Sequence, residues 1–434
     1  MVANERLRDA CEAWLRAALT YLHGKQVPLQ DERQVVWASE QALQIISVPV
    51  LDARLFPGAH DETLASLPEL HALTQVVQES AETTNALLAV TDAPALSSTE
   101  PAPSSLRSHL DRFLIAYLKH SDAWAPTDVE FVSDRFGHVY AQFEQFIYGL
   151  ASIDAWWLYQ FDNLSTEVDA IPVAPGARLH RATQAERDQA VIDHSRRDVS
   201  RATAFPFDAR LLIPEVVLEV KRTLTSRSGG FGPDDYGASH QIAQAVLLAL
   251  RLIKPEPISI DSFQTQVDNP FADLSPRLSG FPPSSFRWDR PLGFPFGSQY
   301  VIAPNDVVEL QALCRHAQRA LSDPLLTVPL KRLNDSYLRT DLADQLIDYW
   351  VALESLFLPE KFAREMTEVV AQAMAHYLGR TVSERKSIAA SVHSSHKTRS
   401  DIVHGKVSQD KQYEATVAKT GSLLRRALQQ RLGE

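Results

Sequence analysis

Leu342-Ala343-Asp344-Gln345-Leu346-Ile347-Asp348-Tyr349-Trp350-Val351-Ala352-Leu353-Glu354-Ser355-Leu356-Phe357 is the stretch that decides the fold. Leu342, Leu346, Trp350, Leu353 and Phe357 recur every three or four positions, the period of a helix that hides one face. The pattern predicts one long helix over about residues 330–358. Its neighbours have the same texture. A helix over about 306–321 leads to Pro324, and residues 362–378 carry Phe362, Met366, Val369, Ala373 and Tyr377 at helical spacing. A helix rich in serine and histidine runs through 383–404 to Gly405, and a last one over about 410–431 carries Tyr413, Val417, Leu424 and Leu428. Short connections between amphipathic helices make antiparallel neighbours, so residues 326–434 read as a helical bundle.

Towards the N-terminus the texture changes. Residues 4–50 read as helical, with Leu7, Cys11, Trp14, Leu15 and Ala18 on one face, and 62–92 as short helical pieces. Ala93 to Ser105 is rich in proline, serine and alanine and reads as a linker. Residues 106–164 read as helix with an aromatic core cluster that includes Phe146, Trp156, Trp157 and Tyr159. From about 165 to 310 proline is frequent. Leu211–Ile213, Val216–Val220, Ile258–Phe263 and Tyr300–Ile302 read as strands, with helices at about 184–199 and 238–253. The glycine run 229–232 lacks the spacing of a phosphate-binding loop and reads as a turn. The expectation is a mainly α, multidomain chain. It has a helical region 1–92, a linker 93–105, a mixed α/β regulatory or recognition region 106–325 and the bundle 326–434.

At 434 residues the chain is long for one core, and 45% hydrophobic with 22% charged residues is an ordinary soluble composition. No apolar run is long enough to span a bilayer, and the opening MVANERLRDACEAW lacks the order of a signal peptide. Cys11 and Cys314 make no disulfide framework and no metal-ligand spacing. A cytoplasmic protein with reduced thiols and no membrane partner is expected. The net charge of −11 argues against a protein that coats nucleic acid, but the charge is uneven. Residues 361–434 carry 13 Lys plus Arg against 7 Asp plus Glu, whereas the preceding 360 residues carry 30 against 47. A basic module on an acidic body suits a local site for an anionic ligand.

Within that module, Thr398-Arg399-Ser400-Asp401-Ile402-Val403-His404-Gly405 puts an arginine and a histidine at the end of a helix. RNA cleavage by attack of the 2′-hydroxyl on the adjacent phosphate builds charge on the non-bridging oxygens. Arginine offers a rigid fork of donors to that charge and keeps its proton. Histidine takes the 2′-hydroxyl proton or donates one to the leaving 5′-oxygen. Neither role needs a metal or a cofactor. A base and an acid are both required, and a two-fold dimer would bring two copies of His404 to a shared cleft. Glu354 sits on or beside the apolar stripe, where a carboxylate is costly to bury unpaired. It is expected to orient Arg399 or His404. His393, His396, Lys397 and Lys406 flank the motif, and His396, Lys397 and Lys406 are candidate RNA-binding residues. The competing reading of Arg399 and His404 is an ordinary cationic helix C-cap closed by Gly405.

Two segments together carry a family likeness. One is Arg332-Leu333-Asn334-Asp335-Ser336-Tyr337-Leu338-Arg339 with Asp344–Asp348 and Ala352-Leu353-Glu354; the other is Arg399 to Gly405. Both resemble the signature blocks of the Apea-like branch of the HEPN superfamily, over about residues 326–434. The resemblance implies a small all-helical domain that pairs as a homodimer. It also implies that an Arg-x4-6-His motif from each protomer cleaves RNA without metal, often in bacterial antiviral or toxin–antitoxin systems. The matching positions are Arg399 and His404, with Glu354 at the family's acidic position. Some HEPN domains bind nucleotides or only dimerise, so a non-catalytic dimerisation or sensor protein is the alternative. The acidic N-terminal portion would then recognise a trigger, and in the nuclease reading it would restrain the enzyme. A third reading takes Asp208 with Glu219-Val220-Lys221 as a metal-dependent nuclease core, with Glu219 and Lys221 on one strand face.

Overall fold

The computed structural model describes residues 4–24, 29–39, 42–51, 67–81, 130–148, 152–184, 214–225, 233–267, 299–339, 341–358, 365–406 and 411–434, with scattered positions among 64–117 and at 186, 187 and 271. Among the described residues there are ten α-helices and nine strands, and the chain is mainly helical. None of these helices is long and apolar enough to cross a membrane.

The first helix, α1 (Glu5–Gly24), buries Leu7, Cys11, Trp14, Leu15 and Ala18, as their spacing dictates. The helix predicted over residues 4–50 stops there. Strands β1 (Leu29–Ser39) and β2 (Ala42–Leu51) follow as an antiparallel hairpin with Leu29 opposite Leu51. Val35, Val36, Trp37, Ile45, Ile46 and Val48 are strand formers, and Pro49 cannot continue a helix. Helices α2 (Pro68–Glu79) and α3 (Ser133–Tyr148) pack with α1 around Leu70, Leu73, Phe113, Phe136, Phe143 and Phe271. The proposed linker 93–105 lies outside the described residues.

Strand β3 (Ser152–Asp162) corrects a second expectation, because Trp156, Trp157 and Tyr159 lie on a strand rather than a helix. Aromatics suit a pleated surface, and their alternation buries Trp157 and Tyr159 while Trp156 stays partly exposed. The next elements are β4 (Leu164–Thr166), β5 (Ala170–Ala174), β6 (Ala177–Arg181), β7 (Val216–Thr225), helix α4 (Pro233–Ile253), β8 (Ser259–Val267) and β9 (Tyr300–Ile302). Five strands form an antiparallel sheet in the order β5-β6-β7-β3-β8, while β4 pairs with β9 in parallel. The readings at 211–213 and 229–232, and most of the helix at 184–199, fall outside the described residues.

The C-terminal helices are α5 (Val307–Ala320), α6 (Pro324–Ser336), α7 (Leu342–Phe357), α8 (Met366–Leu378), α9 (Val382–Val403) and α10 (Lys411–Gly433). The single helix expected over 330–358 is two helices with a corner between them. Asp341 makes the second start: its carboxylate accepts the Ala343 N–H at 2.7 Å, a side-chain N-cap. The face expected for α8 is also turned. Val370, Ala371, Met374, Ala375 and Leu378 are its buried residues, and Met366 is 46% exposed. Glu368, Gln372 and His376 recur every four positions and are exposed, so the buried side lies opposite that polar stripe.

One continuous apolar core runs from the five-stranded sheet through α4 and α5 into the bundle. The boundary proposed at 325/326 falls inside α6 and within this core. Arg251 staples the two parts together. It is 4% exposed and donates to the Ile258 carbonyl at 2.9 Å and to Asn334 Oδ1 at 2.9 Å. The Tyr337 hydroxyl donates back to the Arg251 carbonyl at 2.6 Å. Within the bundle, α10 crosses α7 at Gly421, where a Cβ would lie 2.9 Å from the Tyr349 ring.

Asp348, 2% exposed on α7, is held by Arg332 of α6 at 2.9 Å and by Arg339 of the corner at 2.8 Å. Removing one side of such an arrangement is unequal. Asp348→Asn leaves two arginines that reach water and is expected to cost about 1–3 kcal/mol. The double variant Arg332→Met/Arg339→Met strands a buried carboxylate and is expected to cost more, about 3–5 kcal/mol. Urea unfolding of both variants against wild type checks the order.

Candidate active site

Helix α9 is fixed at both ends by its own sequence. At its start Thr381 and Glu384 form a capping box, with Thr381 Oγ1 accepting the Glu384 N–H and Glu384 Oε2 accepting the Thr381 N–H, each at 3.2 Å. At its end Gly405 adopts φ +67°, its N–H donates to the Ile402 carbonyl at 2.9 Å, and the Lys406 N–H donates to the Asp401 carbonyl at 2.8 Å. That pattern is a Schellman motif with His404 as the C-cap residue.

Ile388, Val392 and Ser395 are the buried residues of α9. At about 100° per residue, Arg399 projects in the same direction, towards α7. There its Nη1 donates to Glu354 Oε1 at 3.0 Å, joining two segments that are 45 positions apart. The side chains of the pair are 27% and 24% exposed, so water screens the attraction only in part. Trp350, one turn before Glu354 and 1% exposed, lies under the pair, its ring centroid 5.9 Å from Arg399 Cζ. Among the described residues, neither the Trp350 indole N–H nor Arg399 Nε has an acceptor.

His396 completes the group. It precedes Arg399 by one turn and meets the Trp350 ring edge-on, with centroids 5.2 Å apart. Burial, and then the positive charge of Arg399, hold its pKa below the ordinary histidine range; the Glu354 carboxylate opposes them. His393, a turn earlier, is engaged with Glu368 of α8 at 3.2 Å.

The structure therefore brings Arg399, Glu354 and His396 together. It does not bring His404 into their contact. His404, Lys397 and Lys406 are exposed, and among the described residues no hydrogen bond or ion pair ties the His404 side chain to Arg399 or Glu354. On the helical projection His404 lies about 140° round the axis from Arg399. It shares an outward stripe with His393, Lys397 and Ser400. The expectation that Glu354 orients Arg399 or His404 resolves to Arg399 in geometry. Sequence reading treated Trp350 only as core. Its place four residues before Glu354, hence on the same face, was the signal that it would underlie the pair.

The alternative metal-site residues sit elsewhere. Glu219 accepts from Arg178 at 3.1 Å, Lys221 pairs with Asp154 at 2.6 Å, and Asp208 lies outside the described residues. Glu219 and Lys221 do share a strand face, with each charge already partnered across the sheet.

A double-mutant cycle tests the pair. Glu354→Ala and Arg399→Ala are each expected to lower stability, with a coupling of about 1 kcal/mol for a half-buried, charge-assisted hydrogen bond. Thermal or urea unfolding of the two single variants and the double variant measures it. Comparison of the chain with models of known protein families, with curated proteins and with solved structures finds no match.

Proposed function

We propose that the C-terminal bundle is HEPN-like and that the protein is a metal-independent endoribonuclease acting as a homodimer, in bacterial defence or a toxin-like system. The observation that carries this reading is the Arg399–Glu354 ion pair at 3.0 Å. It joins the two sequence blocks on which the resemblance rests, at the end of a helix that continues to His404. One guanidinium nitrogen is committed to the carboxylate, which fixes the plane of the fork. Among the described residues no hydrogen bond occupies Nη2, which could meet a phosphate oxygen, and a fork restrained in advance loses little freedom when charge develops.

In this reading Arg399 neutralises the phosphorane and Glu354 positions Arg399. His404, on the exposed helix end, exchanges a proton with the reacting oxygens. His396, Lys397 and Lys406 line the approach of the RNA backbone. A phosphate seated beside Arg399 at the helix end would bridge the two groups that do not touch in the free protein. The larger N-terminal portion, multidomain in this reading, would recognise a trigger and restrain the nuclease.

One observation favours the second reading, a non-catalytic dimerisation or sensor protein. The Schellman cap and the Glu354 contact together give Arg399 and His404 structural occupations. Cleavage of end-labelled single-stranded and transfer RNA in EDTA separates the two. The nuclease reading expects wild type to leave 2′,3′-cyclic phosphate ends and Arg399→Ala and His404→Ala each to slow cleavage at least about 100-fold. Intact RNA with all three proteins, each still dimeric by light scattering, would leave the sensor reading standing.

A further inference from the structure

Along α9 the imidazole nearest to Arg399 is not that of His404. His396 stands one turn before Arg399 and about 60° round the helix axis, whereas His404 is about 140° round the axis from it. His396 also turns inward, its ring packed edge-on at 5.2 Å against a tryptophan that is itself 1% exposed. Trp350 thus lies under Arg399 and His396 alike, so the guanidinium and the imidazole share one floor. We propose that His396, rather than His404, is the general base of the reaction, and that His404 is the acid. This inference rests on the ribonuclease reading above.

The step balances with the groups named. His396 takes the proton of the 2′-hydroxyl as the 2′-oxygen forms its bond to phosphorus, and Arg399 holds the charge on the non-bridging oxygens. The bond from phosphorus to the 5′-oxygen breaks, and His404 supplies the proton that the 5′-oxygen takes up. The products are a 2′,3′-cyclic phosphate and a free 5′-hydroxyl. Nothing is oxidised or reduced.

The groups around His396 suit a base that is already neutral. On its own helix Arg399 and His393 disfavour a second positive charge, and burial against Trp350 of α7 acts in the same sense. Glu354 of α7 opposes them, but its carboxylate is shared with Arg399. Glu368, the carboxylate that α8 presents nearby, is taken by His393. With its pKa lowered, His396 sheds its proton below pH 6.5, the ordinary histidine midpoint, and remains available as an acceptor above that point.

The test is the pH profile of single-turnover RNA cleavage by the full chain in EDTA. Wild type should show an acid limb with a midpoint below about 6.5. His396→Gln should lose about 100- to 10,000-fold in rate and lose that limb, a far larger change than any in its affinity for RNA. Added imidazole should restore cleavage to His396→Ala, which a merely structural histidine would not allow. Thermal midpoints separate a folding defect from a catalytic one, and His396→Asn replaces the glutamine variant if that one unfolds. If His396→Gln cleaves within threefold of wild type on an unchanged profile while Arg399→Ala and His404→Ala are dead, this assignment falls alone. If wild type cleaves at no pH, the ribonuclease reading falls and takes this one with it.

Discussion

The buried carboxylate of Asp348 is the constraint on which the C-terminal half depends. A charge taken out of water must be met on every side, and Arg332 and Arg339 meet it from a helix and from the corner that follows. Those two contacts fix how α7 leaves the corner and how it rotates about its axis. Two residues on, Trp350 enters the core, and six residues on, Glu354 reaches Arg399. The candidate site is therefore placed by an ion pair that takes no part in it.

The same economy explains why the Arg332–Arg339 block is so dense in polar residues. Arg332 and Arg339 serve Asp348, while Asn334 and Tyr337 serve Arg251 and its carbonyl. Among the described residues no hydrogen bond or ion pair ties the block to Arg399, Glu354 or His404. It sets the bundle against α4 and the sheet beyond, which makes the bundle an extension of a larger core.

Helical period made four stretches legible from residue 330 onwards, 330–358, 362–378, 383–404 and 410–431, through the contrast of apolar and polar residues, where the structure has five helices. It failed where that contrast is weak. In Met366 to Leu378 the apolar residues spread widely, and the buried side is marked by the polar stripe Glu368, Gln372 and His376 opposite it. The break before Asp341 does not show in the apolar spacing, which continues in phase across it, although Asp341 is a standard capping residue. In the aromatic run Trp156-Trp157-Leu158-Tyr159 and the Val- and Ile-rich run 35–48, β-propensity outweighs the helical pattern of the surrounding sequence. Arg399 and Glu354 were legible as separate candidates, but their contact spans 45 positions and depends on how two helices pack. His396 was legible as a candidate RNA-binding residue beside the motif; its packing against Trp350 is a tertiary fact.

The helix end has a consequence for how such a site could be lost. His404 stands where it does because Gly405 takes a left-handed backbone conformation that a side chain resists. A Cβ there would meet no neighbouring atom, so the strain would lie in the backbone alone. A side chain at Gly405 would nonetheless strain the left-handed cap that closes the turn carrying His404, at a distance from Arg399, Glu354 and His396. Under the proposed ribonuclease reading, a change at Gly405 would thus disturb the position of His404 while altering none of the proposed reacting groups.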